Sequence, residues 1–448
     1  MFRSGPLILL ALSLSANEAF AQDRAGPPPP RGDAPRATIA PTELPAVASG
    51  AMDTSPRPAV RPGIDTSRGA TVLSTKNIGF RNWIESFRGR ALAQGVRAPV
   101  FDDAFDGVIY DTAIIQRDRN QAEFNKTIWE YLDSAVSDTR VENGREALRI
   151  HADLFEAIEE RYGVEKEVVA AVWGLESAYG TYRGETDIVQ ALSTLAFDGR
   201  RGRFFEAQLV AALQIVQSGD VPPRDMTGSW AGAMGHTQFI PTSYLTYAVD
   251  FTGDGKRDIW SENPADALAS TAAYLAGFGW QKDMPWGVEV ALPEGFDYAL
   301  ASRSEERMPS EWAEMGVVGT DGAAVPDHGE ASILLPAGAK GAAFLIFDNF
   351  RVIERYNTAD AYVIGVGHLS DRLTGEDPIA AEWPREDRAL TFAERKEMQA
   401  ALSREGFDTQ GVDGRVGPRT VAAIRGFQRS EGMVPDGYAS LTLLEALR

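Results

Sequence analysis

The sequence predicts a mainly α (α+β) protein: a helical body with a small β insertion, then a C-terminal three-helix module. Three observations predict it. Apolar residues recur at helical spacing from about Lys76 onward. That signal fades between about Pro285 and Phe347, where Ala342-Ala343-Phe344-Leu345-Ile346-Phe347 reads as a strand. A compact tail over 388–448 then carries its own helix caps.

The N-terminus comes first. Arg3, the apolar run Leu7 to Leu14 and Ala19-Phe20-Ala21 have the three parts of a secretory leader over 1–21, cleaved near Ala21. The run is too short to span a bilayer comfortably. With no cysteine there is neither a lipid-attachable thiol nor a disulfide. The expectation is a soluble chain secreted to a bacterial periplasm without a stable membrane anchor. An uncleaved N-terminal anchor is the competing reading. Residues 22–75, rich in Pro, Ala, Arg and Thr with Pro27 to Pro30 in a row, read as a disordered linker. Composition excludes one class of partner. At a formal net charge of -20, nucleic acid and anionic membrane would be repelled.

Within the body (76–375), one helix is predicted from about Glu165 to Tyr179. Glu165 and Glu167 favour its first turn, Val168, Val172 and Leu175 make its apolar stripe, and Gly180 ends it. Another is predicted to open at Asn263-Pro264 and to close before Gly279. In the tail, Thr391 and Glu394 form a capping box, Pro418 and Thr420 open a second helix, and Ser440 caps a third.

Glu176 is the catalytic candidate. Val172 and Trp173 lie one turn back, so its carboxyl leans over apolar surface, where desolvation favours the neutral acid. Taken alone, it reads rather as a solvated glutamate near a helix end. Its surroundings decide. Gly174-Leu175-Glu176-Ser177-Ala178-Tyr179-Gly180 resembles the Glu-Ser signature of lytic transglycosylases. The run Gly228 to Tyr244, GSWAGAMGHTQFIPTSY, resembles the second signature of the membrane-bound lytic transglycosylase B type, in a soluble, secreted form. The resemblance extends over about Lys76 to Gly375, and two long motifs in this order make it specific.

The resemblance implies a lysozyme-like helical catalytic domain acting on peptidoglycan glycan strands and stem peptides. It implies that Glu176 protonates the bond between N-acetylmuramic acid and N-acetylglucosamine. The same group then takes the C6 hydroxyl proton as a 1,6-anhydro ring closes. Most glycosidases instead use two carboxylates. Ser229, Met234 and Gln238 match substrate-contacting positions. Arg355-Tyr356-Asn357 resembles a cleft-lining triplet, with Tyr356 and Asn357 near the reacting sugar. Tyr362 is a further wall residue or an ordinary core tyrosine. Arg200 and Arg201, in a cluster with Arg203, match stem-peptide contacts, against the alternative of a solvated charged face.

No cofactor is required for this chemistry, but a structural Ca2+ is implied as possible. Asp250, Thr252 and Asp254 stand at loop positions 1, 3 and 5, Gly255 at 6, and Lys256 offers a carbonyl at 7. Position 12 is Ser261, where a standard loop has glutamate, so Asp266 is the family's candidate last ligand. A metal-free Asp-Gly turn is the alternative. The tail resembles a peptidoglycan-binding domain type one, carried by Leu402, Gly406, Asp413 to Gly417, Thr420, Ala423, Phe427-Gln428 and Asp436-Gly437. Two rival functions stay open: a non-catalytic wall-binding scaffold, and a hydrolytic muramidase, whose water-activating carboxylate the sequence does not place.

Overall fold

The computed structural model describes residues 67–120 and 126–448, with only the backbone of 67–76 and 120. The predicted leader and residues 22–66 of the predicted linker lie outside the described residues. Residues 67–75 of that linker fall within the helix Ser67–Ala93. Its apolar stripe, Phe80 and Phe87, is buried in the main core. A helix anchored there extends N-terminally with one backbone bond gained per residue fixed.

At the centre lies the helix Lys166–Ser177, in which every residue from Val168 to Leu175 is buried. A helix apolar all round must be enclosed on all sides. The helices Asp360–Thr374, Asp138–Ile150, Ala265–Gly277 and Ala152–Tyr162 surround it. It stops at Ser177 and not at Tyr179, because Ala178 and Tyr179 turn left-handed, with φ of 50° and 58°. The helix Ala265–Gly277 begins one step later than predicted. Pro264 caps it, and the Asn263 side chain accepts from the Ala265 N–H at 3.2 Å.

Six strands occur among the described residues. β1 (Thr186–Asp187) pairs antiparallel with β2 (Thr227–Gly228), which ties the segment after the central helix to the loop that follows. β3 (Gly287–Ala291), β4 (Val318–Gly319), β5 (Ser332–Leu334) and β6 (Ala343–Ile346) form an antiparallel sheet in the order β4-β3-β6-β5. This insertion has its own core around Trp312, Ile333, Leu345 and Phe347.

The tail contains the helices Phe392–Arg404, Pro418–Ser430 and Leu441–Ala446 over a third core of Met398, Leu402, Ile424 and Leu443. The Thr391–Glu394 capping box forms, and Ser440 caps the last helix. The module is docked on the insertion. Asp436 accepts from the Ala339 N–H at 2.9 Å, and Arg425 donates to the Ala301 carbonyl at 2.9 Å.

Candidate active site

Glu176 lies in the last turn of the central helix, half-buried, just before the left-handed pair Ala178-Tyr179. Such backbone strain is tolerated where the surroundings over-determine it, commonly at functional sites. Tyr362, on the helix Asp360–Thr374, donates to Glu176 Oε1 at 2.6 Å. Burial pushes the Glu176 carboxyl up to about 8, and the Tyr362 bond works the other way. The group is therefore neutral at pH 7. Tyr356 stacks on Tyr362 with rings 6.4 Å apart at 11°, and its hydroxyl donates to the Thr237 carbonyl at 2.6 Å. Tyr362 is 4% exposed and packs in the main core, with Tyr356 partly buried against it. Trp173, expected under the carboxyl, turns its indole N–H to His236 instead.

The glycine-rich loop is fastened to itself and to the central helix. Met234 and Phe239 exchange both backbone bonds, at 2.9 and 3.0 Å. The Ser229 hydroxyl accepts from the Ala233 N–H at 3.0 Å. Ser177, next to Glu176, donates to the His236 carbonyl at 2.5 Å. The His236 ring is held at both nitrogens. Its Nδ1 accepts from Trp173 at 3.1 Å, and its Nε2 meets the Ser261 carbonyl at 2.7 Å, which fixes the proton on Nε2. Burial lowers its pKa, so the ring is a neutral strut.

Several predicted contacts are placed differently. Met234 is 0% exposed and belongs to the core, so its side chain offers no surface to a sugar in this conformation. Gln238, at a left-handed φ of 56°, donates its amide to the carbonyls of Arg183 and Gly235, both at 2.9 Å. It holds the loop's shape. Asn357 caps the helix Asp348–Tyr356, and its side-chain oxygen accepts from the Ala359 N–H at 3.0 Å. Arg200, 53% exposed, and Arg201 share one carboxylate. Both pair with Asp118, at 3.1 and 3.2 Å, and Asp118 is only 3% exposed. A buried carboxylate needs such partners, and these two guanidinium groups supply them.

The Asp-Gly loop also differs from expectation. Asp250 accepts from the N–H groups of Gly253, Asp254 and Gly255. Thr252 turns its hydroxyl to Asp250, at 3.4 Å, and Asp254 accepts from the Lys256 N–H. Asp266 does fold back, but its two oxygens take the amides of Phe251, Thr252 and Asp258. Among the described residues no three acidic, histidine or cysteine side chains converge as a metal group. As arranged, the carboxylates brace the turn through its own backbone amides.

Sequence reasoning missed Tyr131, Ser177, Arg183 and His236. The two signatures span Ser177 and His236 without revealing their strut roles, and Tyr131 lies in a separate helix, Ile128–Ala135, with no motif around it.

A half-buried glutamate with a raised pKa, bonded to a tyrosine at a helix end next to a glycine-rich loop, is a candidate proton-transferring site. A family profile, the transglycosylase SLT domain, matches residues 79–371, and the chain belongs to this family, the lytic transglycosylases. A second profile, a peptidoglycan binding domain, matches 393–447. Among solved structures, SltB3 from Pseudomonas aeruginosa, in complex with NAG-NAM-pentapeptide, is 48% identical with a TM-score of 0.81. That match covers 82% of this chain and 99% of SltB3. Membrane-bound lytic murein transglycosylase B of Escherichia coli is 33% identical over 250 residues, 54% of this chain and 66% of that protein's length. The Escherichia coli lytic transglycosylase Slt35, solved in complex with calcium, is 27% identical with a TM-score of 0.56 over 65% of this chain and 92% of Slt35. No helix among the described residues is long and apolar enough to cross a membrane.

Proposed function

We propose that the protein cleaves the β-1,4 bond between N-acetylmuramic acid and N-acetylglucosamine without water, leaving 1,6-anhydro ends. One observation carries this reading. Burial raises the Glu176 carboxyl to about 8, Tyr362 donates to it, and among the described residues no second carboxylate is paired with it. A hydrolytic scheme would need a second group to activate water. In the acid step Glu176 gives its proton to the glycosidic oxygen as the C1–O bond breaks and the glucosamine leaves as an alcohol. In the base step its carboxylate takes the C6 hydroxyl proton as O6 bonds to C1, which restores the acid.

Around it, Tyr356, Tyr362 and Ser229 line the reacting sugar, while Gln238 and Asn357 fix the backbone that frames it. The complexes of SltB3 with NAG-NAM-pentapeptide and with NAG-anhNAM-pentapeptide support this substrate and product class. The tail holds the wall, and the leader 1–21 exports the chain to the periplasm. Structural calcium is left out of this reading, because the loop carboxylates are engaged by their own amides. Mass spectrometry of digested peptidoglycan tests it. Anhydro ends support the reading, ends heavier by one water overturn it, and Glu176→Gln should lose on the order of 10² to 10⁴ in rate.

A further inference from the structure

Tyr131 belongs to no signature, and its hydroxyl is in an unusual position. The oxygen is buried and has no hydrogen-bond partner. Buried polar groups in folded proteins are nearly always paired, because leaving one unpaired costs stability. An orphan that persists beside an active centre is therefore a candidate for a partner that exists only during the reaction.

Its surroundings say which partner. Tyr131 lies on the helix Ile128–Ala135, which packs against Asp360–Thr374, the helix that carries Tyr362. Gly365 makes room for it. A Cβ there would stand 3.0 Å from the Tyr131 ring and 3.3 Å from Leu175, the residue before Glu176. The glycine thus lets the ring lie between that helix and the end of the central one. Glu176 raises the Tyr131 hydroxyl electrostatically, as burial does, and Arg140 opposes them, so the phenol keeps its proton. In the resting structure, among the described residues, only Tyr362 donates to Glu176. The titratable and charged groups around this centre are Tyr131, Tyr356 and Tyr362, with Arg140 beside Tyr131 and Tyr179.

We propose that Tyr131 is a positioning residue for the charged form of Glu176: idle while the carboxyl is protonated, it donates to the carboxylate that forms between the acid and base steps. Such a bond exists in the charge-separated state and not in the ground state, so it lowers the barrier without tightening substrate binding. The persistent orphan is the stability cost of having that donor in place.

This rests on the role given to Glu176 above, and the test separates the two. Tyr131→Phe is compared with wild type for kcat against pH and for thermal melting. The variant should lose about tenfold in kcat at an unchanged KM. Its alkaline limb should move to higher pH, because a lost donor to the carboxylate raises the Glu176 pKa. Its Tm should equal or exceed that of wild type, because the hydroxyl bonds to nothing in the resting fold. An unmoved limb, a limb moved to lower pH, or a lowered Tm would each overturn the proposal. If the wild-type limb survives Glu176→Asp unmoved, the underlying reading of Glu176 fails, and this one with it.

Discussion

Tyr362 and Glu176, 186 residues apart in the chain, are joined by a 2.6 Å hydrogen bond from the phenol to Oε1. The bond favours the carboxylate, while burial favours the acid, and burial wins. The pairing fixes both where the carboxyl points and the pH at which it gives up its proton.

Tyr362→Phe removes the only donor to Glu176 among the described residues. The Glu176 pKa should rise further above about 8, and the alkaline limb of kcat should follow. In contrast to Tyr131→Phe, a made bond is lost, so stability should fall by about 1 kcal/mol. A pH profile and a denaturation curve on the same preparation check both effects.

Glu176→Gln should stabilise the fold in a pH-dependent way. The folded pKa of about 8 lies above the unfolded value, so the stability linked to this group is fully present below the unfolded pKa. It is lost as pH rises toward 8. Glutamine has no such loss. The variant should match wild type near pH 4 and exceed it near pH 9 by about 1–2 kcal/mol, a figure discounted because the side chain keeps some contact with solvent. A gap of equal size at both pH values would show that desolvation of the carboxylate is not its cause.

Asp118, clamped by Arg200 and Arg201, offers a test of structural charge. Asp118→Ala removes the buried carboxylate that both guanidinium groups share and should cost about 2–4 kcal/mol in urea denaturation. Arg200→Ala should cost less than about 1 kcal/mol, because that side chain is 53% exposed. If the Arg200 variant instead raises KM severalfold for stem-peptide substrates over bare glycan, the guanidinium is a substrate contact after all.

Asp266 is only 2% exposed and accepts from three backbone amides. Its removal orphans them together, so Asp266→Ala should lower stability by about 2–4 kcal/mol. The loss should be the same with chelator or with millimolar calcium. A wild-type Tm that climbs with calcium, with the climb absent in the variant, would instead show that the loop rearranges around an ion.

The helices and caps were legible because they are local. The Thr391–Glu394 box and the Ser440 cap depend on residues three apart. Glu176 was legible because its signature is contiguous. The polar struts were not, since Asp118 meets Arg200, and His236 meets Trp173, only through tertiary packing. Met234 shows the opposite limit. A motif position suggests substrate contact, and the fold buries the side chain. The left-handed turn at Ala178-Tyr179 was hidden too, because neither residue type signals positive φ.

The docking of the tail rests on Gly338, whose φ of 67° is left-handed. A Cβ there would overlap Asp436 and stand 2.7 Å from Tyr438. Gly338→Val therefore strains the turn and displaces the loop that holds the module, while Glu176 and its tyrosines are untouched. Asp436 would lose the Ala339 amide but keep the Gln428 side chain, at 2.7 Å, so the module itself should stay folded. Limited proteolysis should then cut faster within 376–390. Turnover of soluble glycan fragments should remain near wild type, and digestion of whole sacculi should slow, because a swivelling module no longer presents the wall in a fixed direction. Unchanged proteolysis would mean that the Asp436 contact does not hold the module. Equal loss on both substrates would mean that the insertion beneath it supports the catalytic centre directly.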